Sequence, residues 1–378
     1  MTVNDEVYAK LREQINKMPI GFPSTESGVE IHILMQLFTP DEAQIALHLN
    51  IITESVNKIY QRIKKSHPTI SLEDVETTLE RLALKGVIRA KEKDGKKAYG
   101  YLQFAIGMFE YQVDRMTKGF FENCENYLYS GFKDEFYRTK IPQLRPVPIG
   151  KSLPTNHPIA IYDDIRNIIK QTDGEFGVMN CICKQGKDLI GTRCQVTEIR
   201  ETCILFPNPT SYFRKLEISR PVSKEEVLEI LEQAEKASLV IQPENTLDPK
   251  FICCCCGDCC GVLSMAKTYS KPSQLFSSNY HAKINSNNCK GCASCLKHCQ
   301  MEALVLKNGK TSVDLDRCIG CGICINKCPN KAIILKKKNK IVIPPKNQYE
   351  LYRKILIKKL GPINTLKTGI KMKLRMKI

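Results

Sequence analysis

The sequence predicts a multidomain protein of the α+β class, and three features of the 378-residue chain support this prediction. Helical periodicities followed by a hairpin pattern occupy the first third. An amphipathic helix lies among ten cysteines in the middle, which predicts a cysteine-rich α/β region. Near the C-terminus, two four-cysteine runs repeat at an offset of 29 residues. Because a chain of this length normally forms two or three domains, we assign each feature to a domain.

The predicted segments are an N-terminal extension, a helical domain with a hairpin, a connecting helix, a proline-rich linker, a central metal-binding region, a two-run cysteine module and a basic tail. Their bounds, in the same order, are 1–29, 30–104, 105–140, 141–160, 161–280, 281–343 and 344–378. Apolar and aromatic side chains at helical spacing predict the connecting helix. The linker is placed by five prolines, Pro142, Pro146, Pro148, Pro154 and Pro158.

Residues 30–104 combine three helix patterns with a hairpin pattern. Helices are predicted at 40–49, at 53–63, and after a capping-box-like Ser71-Leu-Glu-Asp74. Strand patterns then flank Asp94-Gly95. This order resembles the winged helix-turn-helix family, whose third helix enters the major groove of DNA.

The charges of the third helix argue against DNA binding. It begins with Glu73, Asp74 and Glu76, which phosphates repel, whereas affinity for DNA depends largely on Lys and Arg. We therefore favour a protein-interaction or structural module. An iron–sulfur-sensing transcription regulator, with this domain as its DNA reader, remains the alternative function.

The two C-terminal runs have a spacing that suits iron–sulfur clusters. They read Cys289-x2-Cys292-x2-Cys295-x3-Cys299 and Cys318-x2-Cys321-x2-Cys324-x3-Cys328-Pro329. Closely stepped thiolates present three ligands to one cluster, and the fourth comes from elsewhere. Zinc sites instead favour two C-x2-C pairs set well apart. Between the runs, Asn308-Gly309 predicts a type I′ hairpin turn.

This segment resembles the two-cluster bacterial ferredoxins. The resemblance implies that the last cysteine of each run crosses over to the other cluster. It assigns the first [4Fe–4S] cluster to Cys289, Cys292, Cys295 and Cys328, and the second to Cys318, Cys321, Cys324 and Cys299. One departure is Gln300, which stands where the family has proline. It alters a local turn and removes no ligand.

Ten cysteines in the central region predict a further metal centre. Six of them fall within the eight residues from Cys253 to Cys260, a density that is usually held by metal in a reducing compartment. Adjacent cysteines point in different directions, so one of each pair is expected to ligate. We predict a third [4Fe–4S] cluster, with zinc and a redox dithiol as alternatives. Its ligands come from a subset of Cys181, Cys183, Cys194, Cys203, Cys255, Cys256, Cys259 and Cys260.

The net charge of +17 is concentrated at the C-terminus, where residues 331–378 contribute +14. Such a tail is either solvated or docks to an acidic redox partner, a polyanion or an anionic membrane surface. Within it, residues 349–360 predict an amphipathic helix that ends at Gly361-Pro362. No signal peptide or membrane span is evident, which predicts a cytoplasmic protein.

No catalytic constellation is recognisable, and whether the chain is an enzyme stays open. The predicted function is electron transfer, either as a carrier or as a subunit of an oxidoreductase with a redox protein as partner. An enzyme with an open iron site is a third hypothesis. His298, beside Cys299, could tune a cluster but is more typical of an exposed turn residue.

Overall fold

The computed structural model describes residues 3–149, 161–207 and 216–373. Helices and antiparallel sheets both occur, and the chain divides into two compact units. The first unit comprises 1–139, 210–218 and 352–378, and the second comprises 140–209 and 219–351, each over its described residues.

The first unit contains seven α-helices and three strands within residues 3–139. In chain order they are α1 Val3–Asn16, α2 Val29–Leu37, α3 Pro40–Ala46, β1 Glu54–Ser55, α4 Val56–Ile63, α5 Leu72–Leu84, β2 Ile88–Lys93, β3 Lys96–Tyr101, α6 Lys118–Tyr127 and α7 Lys133–Tyr137.

The three helices and the hairpin predicted from 40 to 101 are confirmed. Thr39 and Ser71 each accept a hydrogen bond from the third residue of the following helix, which completes a capping box. The strands form one antiparallel sheet in the order β1-β3-β2. Asp94 and Gly95 both have positive φ, as the turn between β2 and β3 requires.

Helices α1 and α2 were not predicted from the sequence. Val7, Leu11 and Ile15 are buried and lie four residues apart, so a helical pattern was present in the segment that we treated as an extension. The single connecting helix predicted at 105–140 is wrong in its first part. The backbone is non-helical at Ala105–Gly107, and α6 begins only after the capping residue Thr117. The predicted aromatic stripe is nevertheless buried.

The predicted tail helix is confirmed. Helix α13, Gln348–Lys373, is interrupted at Gly361, whose φ is 76°. Ile355 is fully buried. Lys359 donates hydrogen bonds to Glu135 at 2.6 Å and to the carbonyl oxygens of Asn16 and Met18 at 3.0 Å. The helix before Gly361 is therefore packed, whereas residues 374–378 lie outside the described residues.

Within its described residues, the second unit contains five α-helices and nine strands. They are α8 Ile165–Gln171, β4 Phe176–Asn180, α9 Ile182–Leu189, β5 Glu201–Leu205, β6 Arg220–Val222, α10 Lys224–Lys236, β7 Val240–Pro243, β8 Phe251–Cys255, α11 Gly261–Lys267, β9 Tyr280–Ile284, β10 Leu304–Lys307, β11 Lys310–Val313, α12 Ile323–Asn326 and β12 Ile333–Lys337. Pro154 and Pro158 of the predicted linker lie outside the described residues.

An antiparallel five-stranded sheet organises the central region, in the order β6-β4-β5-β8-β7. Helix α10 packs beside β5 and β7, and its start at Ser223 confirms the predicted cap. The cysteine-rich run, Cys253 to Cys260, begins in β8 and continues into the loop before α11.

The segment from β9 to β12 is built from two similar halves. In each half a strand precedes the cysteine loop, a short helical turn follows it, and a second strand ends the half. Strand β9 pairs with β12, and β10 pairs with β11, both antiparallel. The offset of 29 residues that relates the cysteines therefore also relates the strands. The predicted turn is confirmed, because Asn308 and Gly309 have φ values of 50° and 71°.

Packing of the tail helix predicts different results for two truncations. Ending the chain after Pro345 removes the buried Ile355 and the ion pair of Lys359, so stability should fall by several kcal/mol, since one buried aliphatic side chain contributes about 1.5–3 kcal/mol. Ending it after Leu360 keeps both features, so the melting temperature should fall less than in the shorter protein. Thermal unfolding of both proteins tests this, and equal melting temperatures would contradict the packing.

Candidate iron–sulfur and metal centres

The cysteines of the two C-terminal runs lie around two cavities. One cavity is lined by Cys289, Cys292, Cys295 and Cys328. The other is lined by Cys299, Cys318, Cys321 and Cys324. Each cavity thus brings together three cysteines of one run and the last cysteine of the other.

Backbone amides donate hydrogen bonds to four of these sulfurs in matching pairs. Ala303 donates to Cys299 at 3.2 Å, and Ala332 donates to Cys328 at 3.3 Å. The amide of Ala282 donates to Cys318, and that of Thr311 to Cys289, both at 3.4 Å. Because hydrogen bonds to sulfur stabilise thiolates and tune cluster potentials, both cavities suit bound clusters.

Each cysteine loop requires one glycine. A Cβ atom on Gly291 would lie 2.0 Å from the carbonyl oxygen of Gly309, and one on Gly320 would lie 2.2 Å from that of Tyr280. Both glycines also have positive φ, which L-amino acids rarely adopt. One loop therefore passes so close to the β10–β11 turn, and the other so close to β9, that no side chain fits.

The environment of the thiols differs between the cavities. Burial raises the pKa of Cys321 to about 12. Hydrogen bonds from the amides of Thr311 and Gly291 instead hold the pKa of Cys289 below its ordinary value. Burial also raises the pKa of Cys295, in the same cavity as Cys289. Since iron binds thiolates, cluster insertion in either cavity must release protons.

Residues 288–342 match the family of 4Fe-4S dicluster domains. This match supports a ferredoxin-like module, which we call the dicluster domain, and with it bound [4Fe–4S] clusters. No curated protein and no solved structure matches the chain. The dicluster domain makes up about a quarter of the second unit.

The departure at Gln300 has a structural explanation. Gln300 is buried, and its Oε1 accepts a hydrogen bond of 2.6 Å from the amide of Gly257, in the central cysteine run. A Cβ atom on Gly257 would lie only 2.3 Å from the carbonyl oxygen of Gln300. The residue after Cys299 therefore joins the dicluster domain to the central region, and proline could not supply this side-chain acceptor.

His298 makes a second contact of this kind. Its Nδ1 lies 3.0 Å from the hydroxyl of Ser238, with which it shares a hydrogen bond. Partial burial, together with Lys327 and Lys297, lowers its pKa. The expectation of a merely exposed turn residue was therefore wrong, because His298 is half-buried and its hydrogen bond joins the Cys299 turn to Ser238, just before β7.

Six central cysteines form what we call the sheet group: Cys181, Cys183, Cys203, Cys253, Cys255 and Cys260. Cys203 and Cys253 are direct partners across β5 and β8. The thiol of Cys255 contacts those of Cys253 and Cys260, and Cys260 in turn lies near Cys183. A hydrogen bond from Cys183 lowers the pKa of Cys181 to about 6. Cys253 was absent from the predicted ligand subset.

Three further cysteines and one aspartate form the compact group: Cys194, Cys256, Asp258 and Cys259. Their ligand atoms all lie within 4.8 Å of one another. The adjacent residues Cys255 and Cys256 thus belong to different groups, and so do Cys259 and Cys260. This division agrees with the expectation that neighbouring cysteines point in different directions. Asp258 was not predicted, although it stands between the cysteine pairs.

Lys184 is a fully buried cation among the central sulfurs. Its ammonium donates to the Ile199 carbonyl oxygen at 3.2 Å and to the Thr202 hydroxyl at 3.0 Å, both neutral acceptors. Burial acts to lower its pKa, but nearby cysteine sulfurs, Cys181 foremost, raise it above the ordinary value. A buried ammonium is stabilised by negative charge nearby, and Lys184 in turn helps to lower the pKa of Cys181.

The basic side chains at the C-terminal end of α5, in the first unit, already have partners. Arg81 and Lys85 both bind the buried carboxylate of Glu42, at 2.9 Å and 2.6 Å. Burial raises the pKa of Glu42, but Lys85, the Thr39 amide and Arg81 outweigh this effect and lower it. Lys97 of β3 pairs with Glu80 at 3.2 Å. These cations are therefore poorly available to phosphate groups.

Among the described residues, no helix is both long and apolar enough to cross a bilayer.

Replacing Lys184 by Met should weaken metal retention in the central region. The change removes the cation that balances the central thiolates, and breaking a buried charge pair typically costs about 3–5 kcal/mol. Metal bound by central cysteines should therefore pass to a chelator much faster, while iron in the dicluster domain is kept. Lys187→Met, on the same helix, serves as the control. Equal release from both variants would contradict the role given to Lys184.

Proposed function

We propose that the chain is an electron-transfer protein with two [4Fe–4S] clusters in the dicluster domain and a third in the sheet group. The observation that carries the proposal is the pair of cavities, each lined by three cysteines of one run and the last cysteine of the other. The proposed ligand sets are Cys289, Cys292, Cys295 and Cys328 for the first cluster, and Cys318, Cys321, Cys324 and Cys299 for the second.

When bound, such clusters supply one-electron oxidation and reduction. The protein's own contribution is to hold the sulfurs, donate amide hydrogen bonds to them and surround them with apolar side chains. Ala282, Ala303, Leu304 and Ile333 form that buried shell. An apolar shell limits access of water and lowers the local dielectric, and both affect the potential.

The third cluster would be held by four of the six sulfurs of the sheet group. Residues two apart on one strand, such as Cys253 and Cys255, present their side chains on the same face of the sheet, and Cys203 pairs with Cys253 across β5 and β8. The thiolates of a cubane bind four different irons, and four of the six sulfurs would supply them. Lys184 would offset part of the cluster's negative charge.

The link through Gln300 gives the proposed electron path. Cys299 of the second set is followed by Gln300, whose side chain accepts from Gly257, and Gly257 follows Cys256 and Cys255. This sequence of covalent bonds and one hydrogen bond joins the second cluster site to the sheet group. The third cluster would then be either an intermediate carrier or the final electron acceptor within the protein.

We further propose that residues 30–104 are a winged helix used for protein contacts. The element order and the β1-β3-β2 sheet support the winged helix, and the engagement of Arg81 and Lys85 by Glu42 argues against a DNA-reading α5. The partner would be an oxidoreductase or redox protein with an acidic surface. Five basic residues after Leu360 are suited to attract it: Lys367, Lys371, Lys373, Arg375 and Lys377.

Paired cysteine substitutions test the two ligand sets. Anaerobically purified protein should contain about twelve cluster irons, since each cubane holds four. Cys328→Ala should reduce the count to about eight, and adding Cys289→Ala should cause no further loss, because both act on one cluster. Adding Cys318→Ala instead should reduce it to about four. Iron analysis and low-temperature electron paramagnetic resonance provide the readout.

The opposite pattern would contradict the crossover. In that case Cys328→Ala and Cys318→Ala together would remove only one cluster, whereas Cys328→Ala with Cys289→Ala would remove two. About eight irons in the unaltered protein, with all of them lost in the variant that combines Cys328→Ala with Cys318→Ala, would remove the third cluster from the proposal.

Substitutions at Gln300 test the electron path. Gln300→Met removes the acceptor and leaves the buried amide of Gly257 unpaired, which should cost about 1–3 kcal/mol of stability. It should also slow electron transfer from the dicluster domain to the central centre, measured by rapid-freeze paramagnetic resonance after reduction. Gln300→Glu keeps an acceptor oxygen and should retain the rate. If Gln300→Met transfers electrons as fast as the unaltered protein, this path is wrong.

A further inference from the structure

The compact group has the geometry of ligands that share one ion. The Cys194 sulfur lies 3.7 Å from that of Cys256 and 3.8 Å from Oδ1 of Asp258. Four ligands at the corners of a tetrahedron, about 2.3 Å from a central zinc ion, are about 3.8 Å apart. The observed separations therefore match a tetrahedral site around a single ion.

The same geometry separates this group from a cubane site. Within the described part of the chain, it is the one set of three or more cysteine, histidine or acidic residues with ligand atoms all within 4.8 Å. The two cavities of the dicluster domain form no such set, in agreement with the wider spacing that a four-iron cluster imposes.

The fourth ligand is held in place before any ion binds. The Oδ2 atom of Asp258 accepts a hydrogen bond of 2.7 Å from the amide of Gln195, and Oδ1 accepts one of 2.9 Å from the amide of Cys259. Asp258 therefore joins the segment that carries Cys194 to the loop that carries the other two cysteines. Cys194, Cys256 and Cys259 are all buried.

The segment that carries Cys194 is itself fixed at its base. Arg200 binds Asp188 through two hydrogen bonds, of 2.6 Å and 3.0 Å, and its carbonyl oxygen accepts from the amide of Cys181 at 2.8 Å. These contacts hold both ends of the loop that follows α9. The loop that carries Cys194 is thus held in position by hydrogen bonds.

We propose that Cys194, Cys256, Cys259 and Asp258 bind one divalent metal ion, preferentially zinc, at a site separate from all iron–sulfur clusters. Three thiolates and one carboxylate are ligands that zinc accepts in tetrahedral sites. All four positions are filled by protein, as in structural zinc sites, so the ion ties the loop at 190–200 to the loop after β8. This inference does not rest on the proposed electron transfer.

The experiment measures zinc and iron together in the full-length protein. Protein produced with both metals should contain one zinc per chain in addition to its cluster iron. Cys194→Ser and Asp258→Ala should each lose that zinc while the iron content stays unchanged. Asp258→Cys should keep it, because four thiolates also form a tetrahedral site. Cys254→Ala, in the same run but outside both groups, is the matched control.

Cobalt substitution distinguishes specific tetrahedral coordination from loss of metal through misfolding. Replacing zinc by Co²⁺ should give the strong visible absorption of tetrahedral thiolate coordination in the unaltered protein and in Asp258→Cys, and it should be lost in Cys194→Ser. The proposal is overturned if no single-ion metal is present. It is also overturned if Cys194→Ser removes about four irons, because the group would then serve a cubane.

Discussion

The second unit keeps many sulfur atoms close together, and any thiolate among them needs a cation or a hydrogen-bond donor beside it. In the dicluster domain, backbone amides donate to Cys299, Cys328, Cys318 and Cys289. In the central region, the buried ammonium of Lys184 supplies positive charge instead. Burying charge is costly unless it is paired and hydrogen-bonded. Thiolate ligands therefore require the amide donors and the Lys184 ammonium to lie where the structure has them.

Backbone geometry decides how the densest cysteine run can be used. Successive side chains of a strand point to opposite faces, and the loop after β8 continues to separate neighbours. Cys255 and Cys260 therefore join the sheet group, whereas Cys256 and Cys259 join the compact group. A run of consecutive cysteines can in this way supply ligands to two different centres, which a single cluster would not require.

Local chemistry made part of the structure predictable. The caps at Thr39 and Ser71, the turn at Asn308-Gly309 and the stop at Gly361 follow from the residues themselves. The grouping of Cys194 with Cys256 does not, because these residues are far apart in sequence and meet only through the order of the sheet. The acceptor role of Gln300 was hidden for the same reason. Helix α1 was missed although its apolar spacing was visible.

The packing of Lys359 against Glu135 also has a consequence for synthesis on the ribosome. The first unit is discontinuous, since residues from both sides of the second unit contribute to it. Glu135 leaves the ribosome long before Lys359, and all nineteen cysteines emerge between Met1 and Lys331. Because domains fold as they emerge, the cysteine-rich unit is complete before the first unit can close. Metal can therefore be inserted before α13 has emerged from the ribosome.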